Sequence, residues 1–278
     1  MQALATKIDY EWLEQKFGFR TTPMEESIFT IRADELSRRE RMQEFLTTYG
    51  DLLKATDISA PAAYLAAYFS MVAITLQGSI SLWNRGLELP LDAITIQLCT
   101  AGAYYKLVIV VQSPKETIGP EEENARHNWC KDTLRTYYRD TAYPLLATIS
   151  EVSGYDLGQL WGQFPTRFNY YISALQQELQ QSGEREPEQA SYYQAQLDRL
   201  NQDYSIVKQL SADVFGRVKN PLDVKVRWLE DPKDCTKQIR MKNACCLYYK
   251  TGEGQYCYTC PRLKETDREE RLQKLRSM

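Results

Sequence analysis

The sequence predicts an α+β fold dominated by helices, with a small antiparallel sheet or hairpin in its N-terminal part and a C-terminal helical bundle ending in a cysteine-rich segment. Three observations carry this. Helical patterning runs with short breaks from Glu121 to Val214. Two β-rich runs, Ala93–Thr100 and Tyr104–Val111, flank Ala101-Gly102-Ala103. Four of the seven cysteines fall within the sixteen residues 245–260. With 278 residues, 43% hydrophobic and 26% charged, the chain can bury a core without crosslinks.

Taken in order, the start MQALATKIDYEWLEQKF lacks the basic-then-apolar layout of a secretory signal, so a cytoplasmic protein is expected. A short helix is expected at Tyr10–Phe17 and strand-like alternation at Ser27–Ile31. Asp34 reads as an N-cap for a helix to Tyr49 with Met42, Phe45, Leu46 and Tyr49 on one face, and Gly50 as its stop. The stretch Ile58–Asn84 carries no charge and is long enough to cross a bilayer. Its Ser59, Ser70, Thr75, Gln77, Ser79 and Ser81, its Gly78 and its reliance on Ala and Tyr predict a buried core helix and no transmembrane span.

Ser113–Asn124 combines two prolines, a glycine and an acidic run, and reads as a linker or as a loop entering the next helix. It separates a mixed α/β region, 1–118, from a helical region, 119–278. Helices are expected at Glu121–Tyr138, Pro144–Val152, Leu157–Gln181 and Pro187–Val214, with turns at Ser153-Gly154 and Ser182-Gly183. The end, Asp267–Arg276, reads as a charged, solvated helix. His127, the only histidine, reads as a surface or packing residue.

Charge is uneven. Residues 217–278 hold 15 Lys or Arg against 9 Asp or Glu, a net of +6, which leaves −9 for residues 1–216 within the total of −3. Lys237, Arg240, Lys242, Lys250, Arg262 and Lys264 surround the cysteines with only Glu253 opposing them. The acidic remainder argues against a nucleic-acid partner.

The cysteine segment NACCLYYKTGEGQYCYTCPRL places Cys245 and Cys246 side by side, then Cys257 and Cys260 ten residues on. A Cys-x-x-Cys step lets two thiolates meet on a metal from one turn, and Pro261 stiffens it. Gly252 and Gly254 supply the reversal between the halves. The adjacent pair requires a distorted backbone. Four thiolates suit an iron-sulfur centre or zinc, and the adjacent pair departs from the two short chelating loops usual for zinc. A redox Cys-x-x-Cys would leave Cys245 and Cys246 without a role.

This pattern, preceded by basic residues and followed by proline, resembles the C-terminal signature of FhuF-type ferric-siderophore reductases. The resemblance implies a 2Fe-2S cluster on Cys245, Cys246, Cys257 and Cys260, and one-electron reduction of siderophore-bound Fe(III) in the cytoplasm or at the inner face of the membrane. Ser153-Gly154 and Leu160-Trp161-Gly162 resemble a second family feature, in which Asn often stands where this chain has Gln163.

Reduction weakens the hold of hard oxygen donors on iron, so one electron releases it. The basic residues would offset the cluster's charge and attract a ferric chelate, of the hydroxamate or citrate-hydroxamate type, or an acidic donor such as a ferredoxin. Tyr248, Tyr249, Tyr256 and Tyr258 are candidates for an aromatic wall. Substrate contacts are expected at Lys237, Arg240, Lys242, Lys250, Arg262, Lys264, Tyr248 and Tyr249. The competing reading is a zinc-stabilised binding module on the same cysteines. Kinship with siderophore synthetases suggests ATP-dependent ligation, but no phosphate loop or dinucleotide fingerprint is present.

Overall fold

The computed structural model describes residues 7–102 and 104–277. The first six residues of the start segment and Ala103 of the expected turn lie outside the described residues. Helix α1 (Tyr10–Phe17) begins where the Asp9 carboxylate accepts the Trp12 N–H at 2.9 Å, and ends at Gly18, whose φ of +69° closes the helix at no steric cost. Strand β1 (Phe19–Arg20) follows at once. With β2 (Phe29–Arg32), β4 (Thr95–Ala101) and β5 (Tyr104–Val110) it forms a four-stranded sheet in the order β1-β5-β4-β2. The β4–β5 hairpin matches the expected pair, and only β1–β5 is parallel.

Helix α2 (Arg39–Leu52) buries Met42, Phe45, Leu46 and Tyr49 as expected, but its limits differ from the sequence reading. Asp34 precedes only a 3-10 turn, Glu35–Ser37, and the extended backbone of Arg38 separates that turn from the helix. Gly50 stays helical. A side chain there would make only ordinary contact with Pro61 Cγ at 3.5 Å, and the position does not end its helix.

That next helix, α3 (Ser59–Trp83), is the uncharged stretch, and it organises the molecule. Among the described residues it is the one helix long and apolar enough to cross a membrane, and 94% of its most apolar window is buried inside the fold. It packs against β1 and β5 and against α2, α5, α6, α7 and α8. Small residues make this possible: at Gly78 a Cβ would stand 3.0 Å from the Phe17 ring. Some of its polar side chains bond within the helix, while Thr75 Oγ1 and Gln77 Oε1 are buried with no partner among the described residues. Ser70 donates to the Ala67 carbonyl at 2.6 Å and Ser79 to that of Thr75 at 2.9 Å.

The expected linker contains a strand. Strand β3 (Arg85–Glu88) pairs antiparallel with β6 (Lys115–Ile118), so the Pro- and Gly-bearing stretch is tied back onto the end of α3. Next come α4 (Glu123–Tyr137), a π-turn at Tyr138–Ala142, and α5 (Tyr143–Ser153), which ends at Gly154 with φ +66°. The long helix expected from Leu157 is divided at Gly162 into α6 (Leu157–Trp161) and α7 (Gln163–Arg185). Ser182-Gly183 does not stop it. Helix α8 (Ala190–Gln209) ends short of the expected Val214, with a separate 3-10 turn at Ala212–Phe215.

A hairpin absent from the sequence reading, β7 (Trp228–Asp231) and β8 (Asp234–Arg240), leads into the cysteine segment, and α9 (Glu265–Arg276) follows it. One hydrophobic core runs from Ile8 to Leu222, continuous across the segment where the sequence places the change between regions.

Candidate functional site

The cysteine segment lies against the start of α3 and the α6–α7 junction. Ala60 and Ala63 pack on Cys245, Leu247 and Cys260, where larger side chains would hold the segment off. Backbone bonds fasten its middle to the loop before α3: Thr56 N–H donates to Lys250 O at 2.8 Å, and Gly252 N–H to Lys54 O at 3.0 Å. Lys250, expected to contact substrate, instead pairs with Asp57 and donates to Ser59 Oγ at 3.0 Å, pinning the segment to the helix start.

The glycines make the expected reversal. Gly252 has φ +43°, and a Cβ on Gly254 would lie 1.8 Å from the Tyr248 carbonyl oxygen, so the chain cannot pass there with any side chain. The distortion required by the adjacent cysteines is at Leu247, a branched residue held at φ +59°.

Cys245 meets a partner from the Cys-x-x-Cys turn, whereas Cys246 meets Lys242. Cys260 Sγ lies 3.3 Å from Cys245 Sγ, and Leu247 N–H also points at Cys245 Sγ, 3.4 Å away. Cys257 donates in turn to Cys260. The hydrogen bond from Cys260 draws the Cys245 thiol down to about 7, despite its burial. The opposite role in the bond to Cys260, followed by burial, pushes Cys257 up to about 12.

Lys242 completes the set, its ammonium 3.6 Å from Cys246 Sγ and hydrogen-bonded to Cys257 as well. Burial works against its charge, but the two sulfurs outweigh that and hold its pKa above the ordinary lysine value. The sulfurs thus run Cys245–Cys260–Cys257, with Lys242 joining Cys257 to Cys246.

A tetrahedral centre with metal–sulfur bonds of about 2.3 Å separates its sulfurs by ~3.8 Å. The Cys245–Cys260 spacing of 3.3 Å is within a small side-chain rotation of that value. Among the described residues, no three His, Cys, Asp or Glu side chains gather around one point as a single ion requires. The four thiols gathered here are of the donor type that a 2Fe-2S cluster takes.

Two supports were not read as such from the sequence. Gln163 Nε2 donates to the Cys245 carbonyl at 3.0 Å, and Thr166 Oγ1 accepts the Asn243 N–H at 2.9 Å. At Gly162 a Cβ would stand 2.7 Å from Ala244 Cβ. The run flagged only by family resemblance is thus the dock for the first cysteine pair. Gly162→Ala should displace that pair: spectral and metal content should fall several-fold while the far-UV circular dichroism of the helices is retained. Unchanged metal content would show that the dock is dispensable.

The second support is α9, expected to be a solvated helix. Its Arg268 is 4% exposed and donates to Tyr258 O, to Cys260 O at 3.1 Å and to Leu263 O at 3.0 Å. Arg271 donates to Tyr256 O. These arginines hold the Cys-x-x-Cys turn through its carbonyls, which charge pattern alone could not reveal.

A cavity of about 820 Å³ opens beside Cys246, between α3, α7 and the β7–β8 hairpin. Of the expected substrate residues only Arg240 and Lys242 line it. Lys237 is exposed and paired with Asp234, Lys264 is exposed where α9 starts, and Arg262 donates to Tyr249 Oη at 3.3 Å. Tyr249 stacks on Tyr256 with ring centroids 4.2 Å apart, Tyr248 is exposed, and Tyr258 is buried. None of these four tyrosines lines this cavity. Arg167 of α7 lines the cavity and was missed, since nothing in the sequence ties it to the cysteines.

The remaining cysteines are apart from the site. Cys99 is buried on β4 against Val108 and Val110, Cys130 is buried on α4, and Cys235 is exposed on β8. His127 is exposed on α4. Compared with known proteins, the chain matches no family model and no curated sequence.

Proposed function

We propose that this protein is a ferric-siderophore reductase, holding a 2Fe-2S cluster on Cys245, Cys246, Cys257 and Cys260. It would receive one electron from a separate donor such as a ferredoxin and pass it to siderophore-bound Fe(III), releasing Fe(II) in the cytoplasm. The observation that supports this reading is the convergence of the four thiols, with Cys245 and Cys260 3.3 Å apart and Lys242 hydrogen-bonded to Cys246 and Cys257. When bound, the cluster supplies a one-electron carrier.

The chain's own residues set its surroundings. The Lys242 ammonium offsets thiolate charge at the Cys246–Cys257 end, which favours the more negative, reduced state. Leu247 N–H stabilises the Cys245 sulfur, and Ala60, Ala63 and Leu247 keep water from the Cys245–Cys260 end. The opposite end, at Cys246, faces the cavity. Electron transfer to a chelate in that cavity needs no proton relay and no direct ligation of the iron by the protein.

The test is anaerobic purification with iron and sulfide analysis, then mixing of the dithionite-reduced protein with a ferric siderophore and a ferrous trap. Two irons, two sulfides and trapped Fe(II) are expected. A colourless protein holding one zinc would establish the binding-module reading instead.

A further inference from the structure

We propose that the cavity beside Cys246 binds a net-anionic, oxygen-rich chelate of a trivalent metal and selects it over neutral chelates. This deepens the reductase reading and rests on it for the metal's identity. Every charged side chain on the cavity wall is a cation, namely Arg167, Arg240 and Lys242, and no carboxylate lines it among the described residues. The three come from separate elements, α7, β8 and the loop before the cysteines, so no local pairing pattern brings them together. Their convergence places like charges around one space, which an anion would relieve.

Arg240 is held in a configuration suited to a ligand. Its guanidinium lies 5.1 Å from the Trp228 ring centroid and donates through one terminal nitrogen to the Asn169 carbonyl. Its Nε is buried and finds no hydrogen-bond partner among the described residues. Arg167 stands 5.9 Å from the Tyr68 ring centroid, another cation supported on an aromatic face.

Trp228 and Tyr170, 49% and 68% exposed, also line the cavity. Large aromatics left open beside cations offer flat surfaces to a ligand with planar donor arms. The volume of about 820 Å³ is in the range of small-molecule sites and sufficient for a hexadentate chelate. Its position at Cys246 brings such a ligand to the end of the cysteine set that is open, while Cys245 and Cys260 are buried.

The experiment uses redox-inert gallium, so that binding is read apart from electron transfer. The full-length, cluster-loaded protein is titrated with Ga(III) tris-catecholate, which carries three negative charges, and with a neutral Ga(III) trihydroxamate. Heat and Trp228 fluorescence are followed, with Trp228→Phe identifying the signal. The anionic complex should bind at least tenfold more tightly than the neutral one. Arg167→Gln should lose about tenfold in affinity for the anion, the worth of one charge-assisted contact, and little for the neutral complex. Lys131→Gln, exposed on α4, should change neither. Arg240→Gln should weaken the anion as well, but Arg167→Gln decides because Arg240 also supports Asn169.

Equal affinity for the two complexes, no binding, or an Arg167→Gln protein with unaltered affinity would overturn the proposal. The two readings fail separately. Reduction of a ferric chelate that is indifferent to Arg167→Gln removes the cavity and leaves the reductase. Gallium binding that follows the expected pattern in a protein unable to reduce the ferric complex removes the reductase and leaves the cavity.

Discussion

A Cys260→Ser protein purified without oxygen should lose the visible absorption of the wild type, whereas Cys99→Ser should keep it. Cys260 is the centre of the sulfur chain, donating to Cys245 at 3.3 Å and accepting from Cys257, and it is 1% exposed. Serine offers a shorter, harder oxygen that reaches neither neighbour in the same way and suits iron-sulfur ligation poorly. Near-complete loss of colour and of bound sulfide is the expected result. Cys99 is as deeply buried, but its neighbours are Val108 and Val110 and no other cysteine. Burial keeps its thiol pKa above the ordinary value. Placing a hydroxyl there should cost about 1–3 kcal/mol of stability with no change in the spectrum. The two variants therefore separate ligation from general damage. Absorption lost equally in both would remove the ligand assignment.

What was legible in the sequence was what local chemistry decides. Asp9 and Gly18 bracket α1 within the expected limits, and the uncharged α3 is buried as its serines implied. Met42, Phe45, Leu46 and Tyr49 share one buried face. The reading failed where a distant partner decides. Gly50 was a stop by residue type, yet the helix continues through it to Leu52. Lys115–Ile118 is a strand only because Arg85–Glu88, thirty residues earlier, supplies the hydrogen bonds. The site divides in the same way. The spacing of the cysteines and the glycines between them dictated that the segment turns back on itself. Gln163 at the Cys245 carbonyl, Arg268 at the Cys260 carbonyl and Arg167 at the cavity are long-range choices, each on a helix with its own periodicity to satisfy. Lys250 shows the converse case: proximity in sequence made it a substrate candidate, and in the fold it pairs with Asp57 of a distant loop.

Helices α3, α4 and α8 meet on one buried charge, and Asp203→Ala should unfold the protein more readily than any surface change. Asp203 on α8 is fully buried and receives Arg126 of α4 through both terminal nitrogens, each at 2.8 Å, and Ser81 of α3 at 2.9 Å. Arg126 Nε donates to Asn84 Oδ1 at 2.7 Å, and Asn84 is the left-handed residue ending α3. Three helices therefore meet on a single carboxylate. The Cys130 thiol also donates to it, and burial with this bond keeps that thiol protonated and unreactive. Alanine would leave a guanidinium without its counter-ion in the core, at a cost of about 3–5 kcal/mol. Urea unfolding should show a lower midpoint with an unchanged slope. Because the penalty comes from the stranded cation and not from loss of attraction alone, Asp203→Leu combined with Arg126→Met should recover much of it. A double variant no more stable than Asp203→Ala would mean that the pair specifies how α3, α4 and α8 fit together, beyond neutralising charge.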